Sequence, residues 1–257
     1  MRTPDSPYLE LGFYFESLAQ REVLLRVIDT LTLWGGVSCH SATSSIPGPK
    51  ENETDAKEQR QCKEREYAIS DLNEVRALMT NDDQVLRKLT ISGLMNIIPD
   101  TYEFVVSGDR VGRPSQHGTV IGIWGDGSWL STGSTEVDAF QKKCGPRVLE
   151  VFRTLIGEMS PTYAAITVDY GLETPDELRR DPRSYAFRNF YLSARLLSQS
   201  VIRRFGNEYQ KFHQETCGEG RLFLSAGFLL PDDPPVPSAV AYEASGFIAN
   251  TIAHALP

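Results

Sequence analysis

The stretch from Pro146 to Tyr170 constrains the fold more than any other. Val148, Leu149, Phe152, Leu155, Ile156 and Met159 recur in steps of one and three, which draws a single apolar stripe down a helix. Pro146 is expected to open that helix, because a first turn tolerates proline. After Ser160-Pro161, Tyr163-Ala-Ala-Ile-Thr-Val-Asp-Tyr170 reads as a strand whose apolar first half suits burial on both faces. A helix with such a stripe, followed at once by such a strand, has to lie on a sheet.

The flanking chain repeats this alternation. Tyr8 to Phe15 has strand character, Ser17 offers an N-cap, and Leu24, Val27, Ile28, Leu31 and Trp34 mark one helical face that Gly35-Gly36 ends. From Ser38 to Glu66 large apolar residues nearly vanish, so residues 38–66 are expected to form a mobile surface insertion. A short helix is expected from Leu72 to Met79. Lys88–Leu94, Thr101–Ser107 and Thr119–Trp124 are separated by Gly, Pro and Asp, as antiparallel neighbours would be. Gly125-Asp-Gly127 predicts a tight reversal into a further strand, Ser128 to Thr132. A helical segment from Glu136 to Lys143 is expected to break at Gly145.

In the last third, Thr174-Pro-Asp-Glu177 starts a helix that Asp181-Pro182 stops. Phe187–Ser193 reads as extended, and a helix carrying Val201, Ile202, Phe205, Tyr209 and Phe212 follows. Gly218 and Gly220 frame a strand from Arg221 to Leu230, and a final helix runs through Phe247, Ile248, Ile252 and Leu256. The expected class is α+β: one domain over residues 1–257, with a mixed, largely antiparallel sheet and helices packed on it. A relation between two α+β halves, and a sub-division near residue 145, are left open.

Charge narrows the partners. A net charge of -8 over 257 residues disfavours a nucleic-acid backbone, which needs clustered Lys and Arg, and suits a basic protein surface instead. Cys39, Cys62, Cys144 and Cys217 are far apart in sequence, as reduced thiols of a cytoplasmic protein would be. No apolar run approaches the ~20 residues that cross a bilayer, and no leader is legible, so neither a membrane partner nor export is expected. The dinucleotide fingerprint, the phosphate loop and the nucleophile elbow are all missing, and no cofactor is expected. His213 and Cys217 have ligand-like spacing and Cys39-His40 could complete a zinc set. Two adjacent residues serve one tetrahedral ion badly, so no metal is expected either.

Two groups of residues remain as candidates for recognition. Trp124, Asp126, Ser128 and Trp129 surround the predicted reversal and form either an exposed tip or a plain hairpin with one tryptophan in the core. Asp169 and Glu173, with Asp176 and Glu177, follow the central strand. These carboxylates could act as acid and base or hold a divalent ion, whereas helix capping explains Thr174-Pro-Asp-Glu177 more simply.

Taken together, Gly125-Asp-Gly-Ser-Trp129, Pro161-Thr-Tyr-Ala-Ala-Ile166, Phe190-Tyr-Leu-Ser193 and the glycine-framed strand from Leu222 to Leu230 resemble the layout of bacterial immunity proteins of polymorphic toxin systems, specifically immunity protein family fifty-two. The resemblance implies a non-enzymatic cytoplasmic α+β protein that binds and neutralises a cognate protein toxin, with the acidic balance steering it onto a basic target. The competing expectation is a hydrolase-like enzyme of small molecules, with its site at the acids after the 163–170 strand.

Overall fold

The apolar stripe does lie on a sheet, which has ten strands among the described residues. The computed structural model describes residues 7–16, 20–34, 38–46, 63–79, 85–92, 104–108, 118–127, 130, 135–181, 187–196 and 198–256. In chain order the elements are β1 (Tyr8–Glu16), α1 (Gln20–Trp34), β2 (Ser38–Ile46), β3 (Lys63–Ala68), α2 (Leu72–Met79), β4 (Val85–Ser92), β5 (Phe104–Gly108), β6 (Gly118–Asp126), α3 (Thr135–Met159), β7 (Tyr163–Val168), α4 (Pro175–Arg180), β8 (Asn189–Ser193), α5 (Gln199–Glu208), β9 (His213–Cys217), β10 (Gly220–Leu224) and α6 (Ser238–Ala255).

The strand order is β3-β2-β4-β5-β6-β1-β7-β8-β10-β9. Every described pairing is antiparallel. The class is therefore α+β, with β1–β6 on one side of the seam where β1 pairs with β7 and β7–β10 on the other. Side chains alternate across this sheet, and each face has its own helices. Leu9, Leu11, Phe13 and Phe15 of β1 enter one core with Val23, Val27 and Ile28 of α1, Val75 of α2 and Val148, Phe152, Leu155 and Ile156 of α3. Tyr14, Tyr163, Phe190, Leu192 and Phe223 enter the other, with Leu178 of α4, Phe205 of α5 and Ile248 and Ile252 of α6. Phe190 anchors this second core, with ring centroids 5.0 Å from Phe223 and 5.4 Å from Phe205.

Four expectations need correction. Residues 38–66 are not a simple insertion: Ser38–Ile46 and Lys63–Ala68 are paired strands, and Ala42 is buried in the first core. Their polar sequences resemble loop, and β3 is the last of the described strands in the sheet. Residues 47–62 lie outside the described residues, as does Ser17.

Gly125-Asp126 is not a reversal, since both residues are ladder positions, opposite Leu9 and Tyr8. The turn comes one step later, where the Gly127 N–H donates to the Pro7 carbonyl and the Leu130 N–H donates to the Gly127 carbonyl.

Gly145-Pro146 does not divide two helices. α3 runs unbroken over 25 residues with Pro146 inside it. Gly145 is required for a different reason, since a side chain there would begin inside the Phe228 carbonyl. Finally, β10 stops at Leu224, and the polar sequence His213–Cys217, unassigned from sequence, forms its hairpin partner β9.

Candidate functional site

The two groups singled out from sequence meet at one end of the sheet, where β1 begins between the ends of β6 and β7. Tyr8 pairs with Asp126 on one side, and on the other its N–H donates to Asp169 Oδ1 at 3.1 Å. The Asp169 N–H returns a bond to the Tyr8 carbonyl at 3.0 Å. Asp169 itself sits at φ +64, a left-handed conformation that aspartate tolerates better than most residues because its short side chain bonds locally. Thr167 Oγ1 then donates to the Tyr170 carbonyl at 2.5 Å. These bonds hold the turn, and the side chain it presents is Tyr170, 57% exposed.

A shelf of glycine lies behind this turn. Glu10, near the start of β1, pairs with Trp124 on β6 and Thr167 on β7 and is only 1% exposed. Its carboxylate Oε1 accepts from the Leu172 N–H at 3.4 Å. Gly12 and Gly122 are opposite each other on the same face. A side chain at Gly122 would begin under 3.0 Å from both Glu10 Oε1 and Trp124 Nε1, and one at Gly12 would begin inside Leu172 Cβ. The missing side chains are what allow the carboxylate, the indole and the 171–174 segment to lie flat on the sheet. Tyr8 packs on Trp124 with ring centroids 4.9 Å apart, which links the shelf to the turn.

Below the shelf, Tyr14 stacks on Tyr163 at 4.7 Å, and the Tyr163 hydroxyl donates to the Glu173 carbonyl at 2.6 Å. Burial, with the Glu16 carboxylate adding to it, pushes the Tyr14 hydroxyl up to about 12. The main chain on both sides of the exposed turn is thus tied to the sheet, through Asp169 and through Glu173.

The site expected from sequence is therefore divided by role. Trp124 and Asp169 are brought together through Tyr8, but Asp169 acts as a strut whose carboxylate is spent on main chain. Glu173 contributes its carbonyl. Ser128 and Trp129 lie outside the described residues, as does the side chain of Asp126. The Glu177 carboxylate accepts from the Thr174 N–H at 2.9 Å while the Glu177 N–H donates to Thr174 Oγ1, a complete capping box. Asp176 pairs with Arg179. Capping thus accounts for this acidic run.

In the sequence Tyr170 looks like core, as an aromatic at a strand end does. The hint available was its place between Asp169 and a strong helix start.

Among the described residues no group of three His, Cys, Asp or Glu could hold a metal ion. His213 and Cys217 stand eight strand steps from β2, which carries Cys39 and His40, about 38 Å along the sheet at ~4.8 Å per strand. No described helix is long and apolar enough to cross a membrane.

No protein-family model matches the chain, and no curated protein matches it. Among solved structures it is similar to the Pseudomonas aeruginosa T6SS protein PA0821, with a TM-score of 0.44 and 14% identity, over 97% of this chain and 72% of that one.

Proposed function

We infer that this chain is a protein-binding inhibitor of the immunity type, which neutralises a cognate basic toxin by covering it, with Tyr170 and its braced turn at the centre of the contact. The observation that carries this reading is an exposed aromatic held on a turn bonded to two strands. Aromatics of this kind are typical interface anchors, because they offer large contact area at little cost in lost freedom. The net charge of -8 supports steering onto a basic partner. The sequence resemblance to immunity proteins of polymorphic toxin systems, in Pro161-Thr-Tyr-Ala-Ala-Ile166 and Phe190-Tyr-Leu-Ser193, points to the same class.

The small-molecule hydrolase reading is the weaker one. A general acid or base needs an available carboxylate; of the acids after the 163–170 strand, Asp169 and Glu177 accept from main-chain donors and Asp176 is paired with Arg179, so this reading rests on Glu173.

The test is retention of host polypeptides on tagged protein, comparing wild type with Tyr170→Ala. One stoichiometric polypeptide held by wild type and lost by the variant, whose fold is unchanged by circular dichroism, supports the reading. Equal retention by both proteins contradicts it.

A further inference from the structure

We propose that the outer edge of β9 is a self-association surface, on which a second copy of this chain adds its own β9 antiparallel to form a two-fold dimer with a continuous sheet. β9 ends the sheet, with β10 as its partner among the described strands. The β9–β10 hairpin turns through two residues, Gly218 at φ +52 and Glu219, and Cys217 is opposite Gly220. A two-residue turn makes its flanking pair hydrogen-bonded. Cys217, Glu215 and His213 therefore bond inward to β10, and the N–H and C=O groups of Gln214 and Thr216 point outward. Among the described residues no main-chain or side-chain partner reaches those four outward groups.

The two edges of the sheet are defended differently. β3, at the far end, carries Lys63, Glu64, Arg65 and Glu66 in six residues, the charge density that natural edges use to repel other strands. β9 is His-Gln-Glu-Thr-Cys, without proline or lysine and with no register shift against β10. Its one carboxylate, Glu215, is neutralised by Arg153 of α3, with Nε to Oε1 at 2.5 Å and Nη2 to Oε2 at 2.7 Å.

A second copy fits because the pattern is symmetric about Glu215. Gln214 of one copy faces Thr216 of the other, both pairs exchange two hydrogen bonds, and all outward groups are satisfied. The two Glu215 residues meet across the axis, each already paired with its own arginine. Two copies of charge -8 repel at long range, so this association tightens as salt rises. Capture of a basic toxin loosens with salt, which separates the two behaviours.

The test is the solution mass of the full chain by light scattering, from micromolar to millimolar protein and at two salts, alongside Thr216→Pro. That variant deletes one outward N–H and leaves the bonds of Glu215 and Cys217 to β10 in place. The expected mass rises from 28.7 kDa towards twice that value with concentration and with salt, while Thr216→Pro stays at 28.7 kDa.

Amide exchange of the wild-type chain decides the matter independently of how the variant folds. The Gln214 and Thr216 amides are expected to slow several-fold from low to high concentration, with Glu215 and Cys217 protected at both. A mass of 28.7 kDa throughout, or outward amides indifferent to concentration, overturns the proposal, including the case where the edge serves a strand of another protein.

Discussion

Replacing one hydrogen by a methyl at Gly122 should destabilise the protein, although the same change elsewhere in the chain should stabilise it. Gly122 is a strand residue, and Gly→Ala in a regular element ordinarily gains ~0.5–1 kcal/mol by restricting the unfolded chain. Here the new Cβ would begin under 3.0 Å from both Glu10 Oε1 and Trp124 Nε1. Overpacking of this kind costs roughly 1–3 kcal/mol. If the buried Glu10 carboxylate gives way and loses its bond from the Leu172 N–H, a further ~1–3 kcal/mol is lost.

The net expectation for Gly122→Ala is a loss of about 2–5 kcal/mol, a Tm decrease on the order of 10 °C at this chain length. Gly157→Ala in α3 supplies the contrast, since nothing lies within 4 Å of its Cβ position, and it should gain ~0.5–1 kcal/mol. Urea unfolding of the two variants beside wild type measures both. A Gly122→Ala variant as stable as Gly157→Ala would refute the glycine shelf, and with it the account of how Trp124 and Glu10 are seated.

Other expectations follow from the same contacts. Thr174→Ala removes the hydroxyl of the α4 capping box and should cost about 1 kcal/mol in denaturant unfolding. Burial also pushes the Tyr191 hydroxyl up to about 12, like Tyr14. Both groups hold their proton more tightly folded than unfolded, so their stabilisation is complete below pH ~10 and is lost as pH rises towards ~12. Tyr14→Phe and Tyr191→Phe should therefore move the alkaline unfolding midpoint upward, read by tyrosinate absorbance against far-UV circular dichroism. Glu215→Gln leaves Arg153 without its bidentate partner at a half-exposed site, for an expected loss of ~1 kcal/mol that shrinks with added salt.

Where local chemistry and tertiary role agree, the elements were legible. Tyr8–Glu16 is a strand buried on both faces, the α3 stripe lies against the sheet, and Thr174-Pro-Asp-Glu177 forms the capping box its residues announce. Local and tertiary signals part at the glycines. Gly125 and Gly145 look like punctuation in one dimension. In three dimensions Gly125 is a ladder residue of β6, and Gly145 admits the Phe228 carbonyl to the side of a continuous helix. Polar strands were hidden for a related reason, because β2, β3 and β9 lack the apolar alternation that announces a strand.

Of the site, Trp124 and Asp169 were named from sequence, but their meeting through Tyr8 depends on β1 lying between β6 and β7, a pairing over more than a hundred residues. Tyr170 could not be picked out because exposure of an aromatic belongs to the assembled surface.

The central claim is that the braced turn bearing Tyr170 binds a basic protein. The most direct measurement is a quantitative pull-down from host lysate with wild-type and Tyr170→Ala protein, at low and moderate salt, with retained polypeptides counted by mass spectrometry. The account predicts one polypeptide at one-to-one stoichiometry on wild type, held less tightly as salt rises, and about thirty-fold weaker on Tyr170→Ala if that side chain is worth ~2 kcal/mol of binding. No stoichiometric polypeptide at either salt, or one retained equally by the variant, contradicts it.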